Sequence, residues 1–116
     1  MSYQQAMLRS EGLAVVLVGV WLFARIDGTW ALWLGFLAPD LSAIAFLRGP
    51  RLGSAAYNFV HWYLWPLLLA GFGLLSGTSL ALEIALIWAA HLGIDRALGY
   101  GLRYASGQRD TTIRRA

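Results

Sequence analysis

The chain has 116 residues, room for a single domain at roughly 100–200 residues per domain. Hydrophobic residues make up 59% of it and charged residues 13%, about half of the roughly 25% that a soluble domain carries, and mean hydropathy is +0.58. That composition excludes a disordered chain, which is charge-rich and poor in apolar residues, and the absence of cysteine excludes a disulfide scaffold or a thiolate metal site.

All nine basic residues are arginine, and the isoelectric point is about 9.8. In a soluble domain a clustered basic face is the footprint of phosphate binding. Here the arginines sit between and after apolar runs, so they read as topology signals and no nucleic-acid partner is expected. The expected class is all-α, a membrane-embedded four-helix bundle forming one domain over residues 1–116.

Four apolar stretches approach the roughly 20 residues that a membrane helix needs. The first covers residues 7–26, charge-free from Gly12 to Ala24. Arg9 before an apolar core resembles a signal peptide, but Glu11 interrupts its start and no small-residue cleavage site follows Phe23, so the segment is expected to stay. The second covers 29–47 with one charge, Asp40, directly after Pro39. The Gly- and Pro-containing loop from Arg48 to Gly53 marks a turn. The third covers 54–75 and contains Asn58, His61 and Pro66. After the Ser76-Gly-Thr78 turn, the fourth covers 80–98 and carries Glu83, His91, Asp95 and Arg96. Helices rather than barrel strands are expected, because runs such as Leu13 to Phe23 do not alternate between faces. The tail, 99–116, is polar and basic; Gly99 to Ser106 is expected to lie along the interface over the polar residues, with Thr111 to Ala116 mobile.

With four spans, eight of the nine arginines fall on one side and only Arg25 on the other. The positive-inside rule then puts both termini in the cytoplasm, with the protein multi-pass in the inner membrane of a bacterium.

Ionisable groups inside a bilayer cost roughly 2.5–3.5 kcal/mol each on insertion scales, and they mark functional sites by default. At about 1.5 Å rise per residue, Asp40, His61 and His91 each lie about 10 Å inside the cytoplasmic ends of their spans. Asp95 lies one turn nearer the cytoplasm, Asn58 one turn below His61, and Glu11 near the start of the first span. Only Glu83 falls near the outer surface. His91 and Asp95 are four residues apart and share a face, as do Asn58 and His61 at three. Asp40, His61, His91 and Asp95 make a donor set suited to a divalent metal, since imidazole and carboxylate suit Zn, Fe or Mn. Glu11 or Asp40 would be the catalytic carboxylate, with Asn58, Tyr57 and Arg96 supporting the ligands and Arg48 and Arg51 holding an anionic headgroup. The same polar groups could instead bond to one another and hold helices together. The tryptophans read as packing and interface residues, and Gly71, Gly73 and Gly77 as places where helices approach closely.

At Pro39-Asp-Leu-Ser42, Gly49-Pro-Arg51, Tyr57-Asn58-x-x-His61 and the stretch from Ile87 through His91 and Asp95 to Tyr104, the chain resembles the short bacterial integral membrane proteins of domain-of-unknown-function family 4260. The resemblance runs from Leu8 to Thr111 and implies a four-span inner-membrane protein with no established activity. Its motif residues are Glu11, Asp40, Asn58, His61, His91 and Asp95; Trp62 departs from the pattern, where a smaller polar residue is expected.

Three functions are consistent with these residues. One is a metal-dependent hydrolase acting on a lipid-like substrate from the bilayer. The second is a small proton-coupled transporter, which at four spans would require a homodimer. The third is a structural or accessory membrane subunit. The stretch Pro66 to Leu75 carries no polar side chain, which favours a pocket open to the cytoplasmic side over a through-pore.

Overall fold

The computed structural model describes the backbone of residues 1–104 and 107–115, and side chains for 1–102 and 111–113. The fold is all-α, with one short ribbon in the tail. Helix α1 (Tyr3–Arg25) starts with a capping box, in which the Ser2 hydroxyl accepts from the Gln5 amide and the Gln5 side chain accepts from the Ser2 amide. Two 3-10 segments follow, Trp30–Gly35 and Ala38–Arg48. Then come α2 (Pro50–Val60), α3 (Leu64–Ser76), α4 (Ser79–Ala97), the strands β1 (Arg103–Tyr104) and β2 (Gly107–Thr111), and the single turn α5 (Thr112–Arg115).

Helix α4 is the centre of the molecule. It packs against α1 on one side and α3 on the other, and it buries eight residues, from Ala81 to Gly93. Its charges are engaged internally: the Glu83 carboxylate accepts from the Thr29 amide, tying the start of α4 to the loop after α1. At the other end the Arg9 guanidinium donates to the Ala97 carbonyl at 2.8 Å. These two ties show that α1 and α4 run antiparallel. Three segments, Tyr3–Arg25, Trp30–Arg48 and Pro50–Ser76, are long and apolar enough to cross a membrane. None of the apolar window in the second is buried inside the chain, and Leu34, Leu47 and Leu75 are each more than four-fifths exposed. An apolar surface of this extent needs lipid or another apolar cover. At about 1.5 Å rise per residue, the 23 residues of α1 are long enough to cross the roughly 30 Å hydrocarbon core of a bilayer.

Two expected continuous helices are broken. The second stretch is interrupted at Phe36 and Leu37, where Pro39 has no amide to give and its ring opposes the Gly35 carbonyl. The third is interrupted at 61–63, one turn before Pro66, which instead occupies the first turn of α3, where a missing amide costs nothing. Broken helices at membrane depth are tolerated only where the freed backbone groups find partners. Here α4 provides them: Trp88 Nε1 donates to the Val60 carbonyl at 2.9 Å and Arg96 Nη2 to the His61 carbonyl at 3.3 Å.

The tail differs from a mobile end. β1 and β2 pair antiparallel, with Arg103 opposite Thr111 and Tyr104 opposite Gly107. Thr111 and Ile113 are buried; the Thr111 hydroxyl donates to the Gly99 carbonyl at 3.1 Å. The ribbon leans on α2, and α5 on α1. Ala105 and Ser106, part of the segment expected to cover the polar groups, and Ala116 lie outside the described residues.

Candidate metal centre

Three elements deliver the four groups, one each from two of them and two from α4. Asp40 comes from the second 3-10 segment, His61 from the end of α2, and His91 and Asp95 from successive turns of α4. One ligand atom from each lies within 4.8 Å of all the others. The His61 and His91 Nε2 atoms are 3.3 Å apart. Asp40 Oδ1 lies 3.3 Å from His61 Nε2 and 3.1 Å from His91 Nε2, and Asp95 Oδ2 lies 3.4 Å from each. Four nitrogen and oxygen ligands placed tetrahedrally at 2.0–2.1 Å from an ion are separated by about 3.3 Å. Five of the six separations here, 3.1 to 3.4 Å, match that edge. The four residues could therefore hold a metal ion.

Proton accounting supports the same reading. His61 Nδ1 lies 2.9 Å from the Tyr57 carbonyl, which can only accept, so Nδ1 carries the hydrogen and the neutral ring turns its Nε2 lone pair to the centre. The Tyr57 ring stacks on that imidazole, centroids 3.6 Å apart at 11°, and its hydroxyl donates to Asp95 Oδ2 at 3.2 Å. One side chain thus orients two of the four groups, as the partners of metal ligands do. Three acceptors, from His61, Asp40 and Asp95, then share a single hydrogen from His91 Nε2. A cation satisfies that deficit better than hydrogen bonding within the cluster. His91 Nδ1 has no hydrogen-bond partner among the described residues; the Phe36 ring meets it edge-on, centroids 5.1 Å apart.

Burial is uneven. Both imidazoles are at most 2% exposed, Asp95 is 17% exposed and Asp40 46%. Asp40 is thus the open side of the centre. Beside it a cavity of about 280 Å³ is lined by Phe36, Pro39, Val60, Ile87 and Trp88, neighbours in sequence or space of three ligands and almost wholly apolar. The Phe36 and Trp88 contributions were not visible in the sequence reading. The only available signal was Trp88 lying three residues before His91, on the same face of α4.

The other expected site residues are placed as follows. Tyr57 and Arg96 stand behind the ligands, and Asn58 is half-buried on α2, three residues before His61. Arg48 and Arg51 are exposed on either side of the bend between the second 3-10 segment and α2. Glu11 does not join the four: it lines a separate cavity with Tyr63 and Arg96, because its face of α1 turns toward the last turn of α4 rather than toward His91.

No curated protein and no solved structure matches the chain. A family model does match, over residues 5–116, a range that contains all four converging ligands and both helix breaks; the chain belongs to the family described as domain of unknown function DUF4260.

Proposed function

We propose that this chain is a four-pass bundle of the bacterial inner membrane whose Asp40–His61–His91–Asp95 centre holds a divalent ion and hydrolyses a lipid-like substrate. The observation that carries this reading is the half-exposed Asp40 on an otherwise buried ligand set, opening beside an apolar cavity. Catalytic zinc sites keep one position for water, so His61, His91 and Asp95 would keep the ion while the half-exposed Asp40 gives its position up to water. The near-tetrahedral separations favour zinc, with iron and manganese as the other ions suited to imidazole and carboxylate. A bound divalent ion supplies Lewis acidity and acidifies a water molecule. Asp40, on leaving the ion and reachable from outside, would take up the proton as general base. Phe36, Val60, Ile87 and Trp88 accommodate an acyl chain, and Arg48 and Arg51 attract an anionic headgroup. The apolar outer half of the molecule, with Leu67, Phe72 and Leu75 exposed on α3, speaks against a transport path.

The activity is tested on zinc-loaded protein in maltoside micelles offered fluorogenic carboxylic-ester and phosphodiester lipids. Turnover that disappears on chelation and in Asp40→Asn is expected. Metal-loaded protein inert toward both lipid classes sinks the hydrolase, and the polar-glue and proton-relay readings then stand in its place. For the orientation, both termini in the cytoplasm by the arginine split, reporter fusions are expected to be cytoplasmic at residue 116 and external in the 76–79 turn. A cytoplasmic signal from that turn refutes the orientation.

A further inference from the structure

A second polar site lies on the far side of Arg96 from the metal centre. A cavity of about 360 Å³ opens between α1, α3, the last turn of α4 and the folded-back tail, lined by Leu8, Glu11, Val15, Tyr63, Arg96 and Ile113 among others. Arg96 is held at its root and its tip. Gly12 packs directly against its Cβ, Nη2 donates to the His61 carbonyl at 3.3 Å, and the guanidinium lies over the Tyr63 ring at 4.7 Å. Nη1 remains buried without an acceptor, and so does the Tyr63 hydroxyl, among the described residues. Unmet donors of this kind are rare in native structures and ask for an explanation. Glu11, on the same cavity, is exposed. Ion pairing within 4.0 Å among the described residues is confined to the histidine–aspartate centre, so Glu11 and Arg96 line one cavity without pairing with each other.

Two unmet donors and an unpaired carboxylate around one cavity fit a ligand that carries both anionic oxygens and a cation. The cavity's own charges, one positive and one negative, sum to zero, which favours a neutral zwitterion over an anion. Leu8, Val15 and Ile113 supply apolar walls for the carbon skeleton. At the inner-leaflet end of α4, the chemistry that meets these demands is a phosphodiester carrying a primary ammonium. We propose that this cavity binds an ethanolamine-type phosphodiester headgroup, the phosphate oxygens on Arg96 and Tyr63 and the ammonium on Glu11. The site is separate from the metal centre, and binding to it does not depend on the hydrolase reading.

The test is calorimetric titration of the whole protein in maltoside, which has neither phosphate nor amine, with and without chelator. Short-chain phosphatidylethanolamine is expected to bind at least tenfold more tightly than short-chain phosphatidylglycerol. Glu11→Gln is expected to remove that preference by weakening only the ethanolamine lipid. Tyr63→Phe, which deletes an unmet buried hydroxyl, is expected to raise the melting temperature of the free protein while weakening both lipids. Soluble glycerophosphoethanolamine separates the sources: affinity equal to the lipid's assigns the site to a soluble metabolite, and much weaker affinity assigns it to a bilayer lipid. Equal affinity of wild type for the two lipids overturns the proposal, as does a preference unchanged in Glu11→Gln. Chelation is expected to leave all of these values in place, so loss of hydrolysis and loss of binding are told apart.

Discussion

Purified protein loaded with zinc and freed of loosely held ions is expected to retain one ion per chain, and His91→Ala less than a tenth of that. Each ligand atom sits at a separation suited to a shared ion, and losing one of the four removes both a bond and the charge match. The ion binds only the folded chain, so it stabilises by about 4 kcal/mol at a thousandfold excess over its dissociation constant. A chelator should therefore lower the melting temperature of wild type clearly and leave His91→Ala unmoved. Tyr57→Phe keeps the stacking on His61 but loses the hydrogen bond to Asp95, and partners of metal ligands typically contribute roughly 10–100-fold in affinity. A protein that retains no zinc, iron or manganese after loading would overturn the metal centre. Lost stability in His91→Ala irrespective of chelator would point to the imidazole as a helix-bridging group.

The second large effect concerns the crossing of α1 and α4. A Cβ added at Gly12 would lie 2.6 Å from both the Gly93 carbonyl oxygen and Arg96 Cβ, and one added at Gly93 would lie 2.6 Å from the Gly12 carbonyl oxygen. These obstacles are mostly backbone and the root of a side chain, so they cannot rotate away. Small residues at such crossings let helices approach where no hydrophobic force drives them together. Gly12→Ala is expected to cost about 1–3 kcal/mol, the usual range for overpacking, and Gly12→Leu to prevent assembly of the fold. Gly71, with nothing within 4 Å, is the internal control: Gly71→Ala should gain about 0.5–1 kcal/mol from its lower chain entropy. The readout is thermal melting followed by size exclusion in maltoside. Gly12→Leu melting with wild type would refute the tight crossing.

The glycines also show where sequence reading stops. Gly71, Gly73 and Gly77 looked alike as small residues in an apolar run, yet only Gly73 meets a neighbouring backbone, at Leu82. Gly77 ends α3 at a φ of +71°, a left-handed cap. The close contact made by Gly12 and Gly93 had no distinguishing signal, because it depends on how two helices are rotated against each other. Glu11 illustrates the same limit. Its place near the start of the span puts it in the same cytoplasmic-side polar layer as the metal ligands, but the structure turns it into the Arg96 cavity.

What the linear order determined by itself is what counts residues along an axis. Apolar runs against polar ones give the helical class and its long apolar segments. A fixed rise per residue gives the common level of Asp40, His61 and His91, with Asp95 one turn away, and the four-residue spacing gives one face to His91 and Asp95. Tertiary structure alone decided the rest: the convergence of those atoms to within 4.8 Å, the α4 side chains that satisfy the two proline-linked helix breaks, and the tail that folds back to bury Thr111 and Ile113. Rotation about a helix axis and the meeting of distant segments are set by side-chain packing between elements, and no count along the chain contains them.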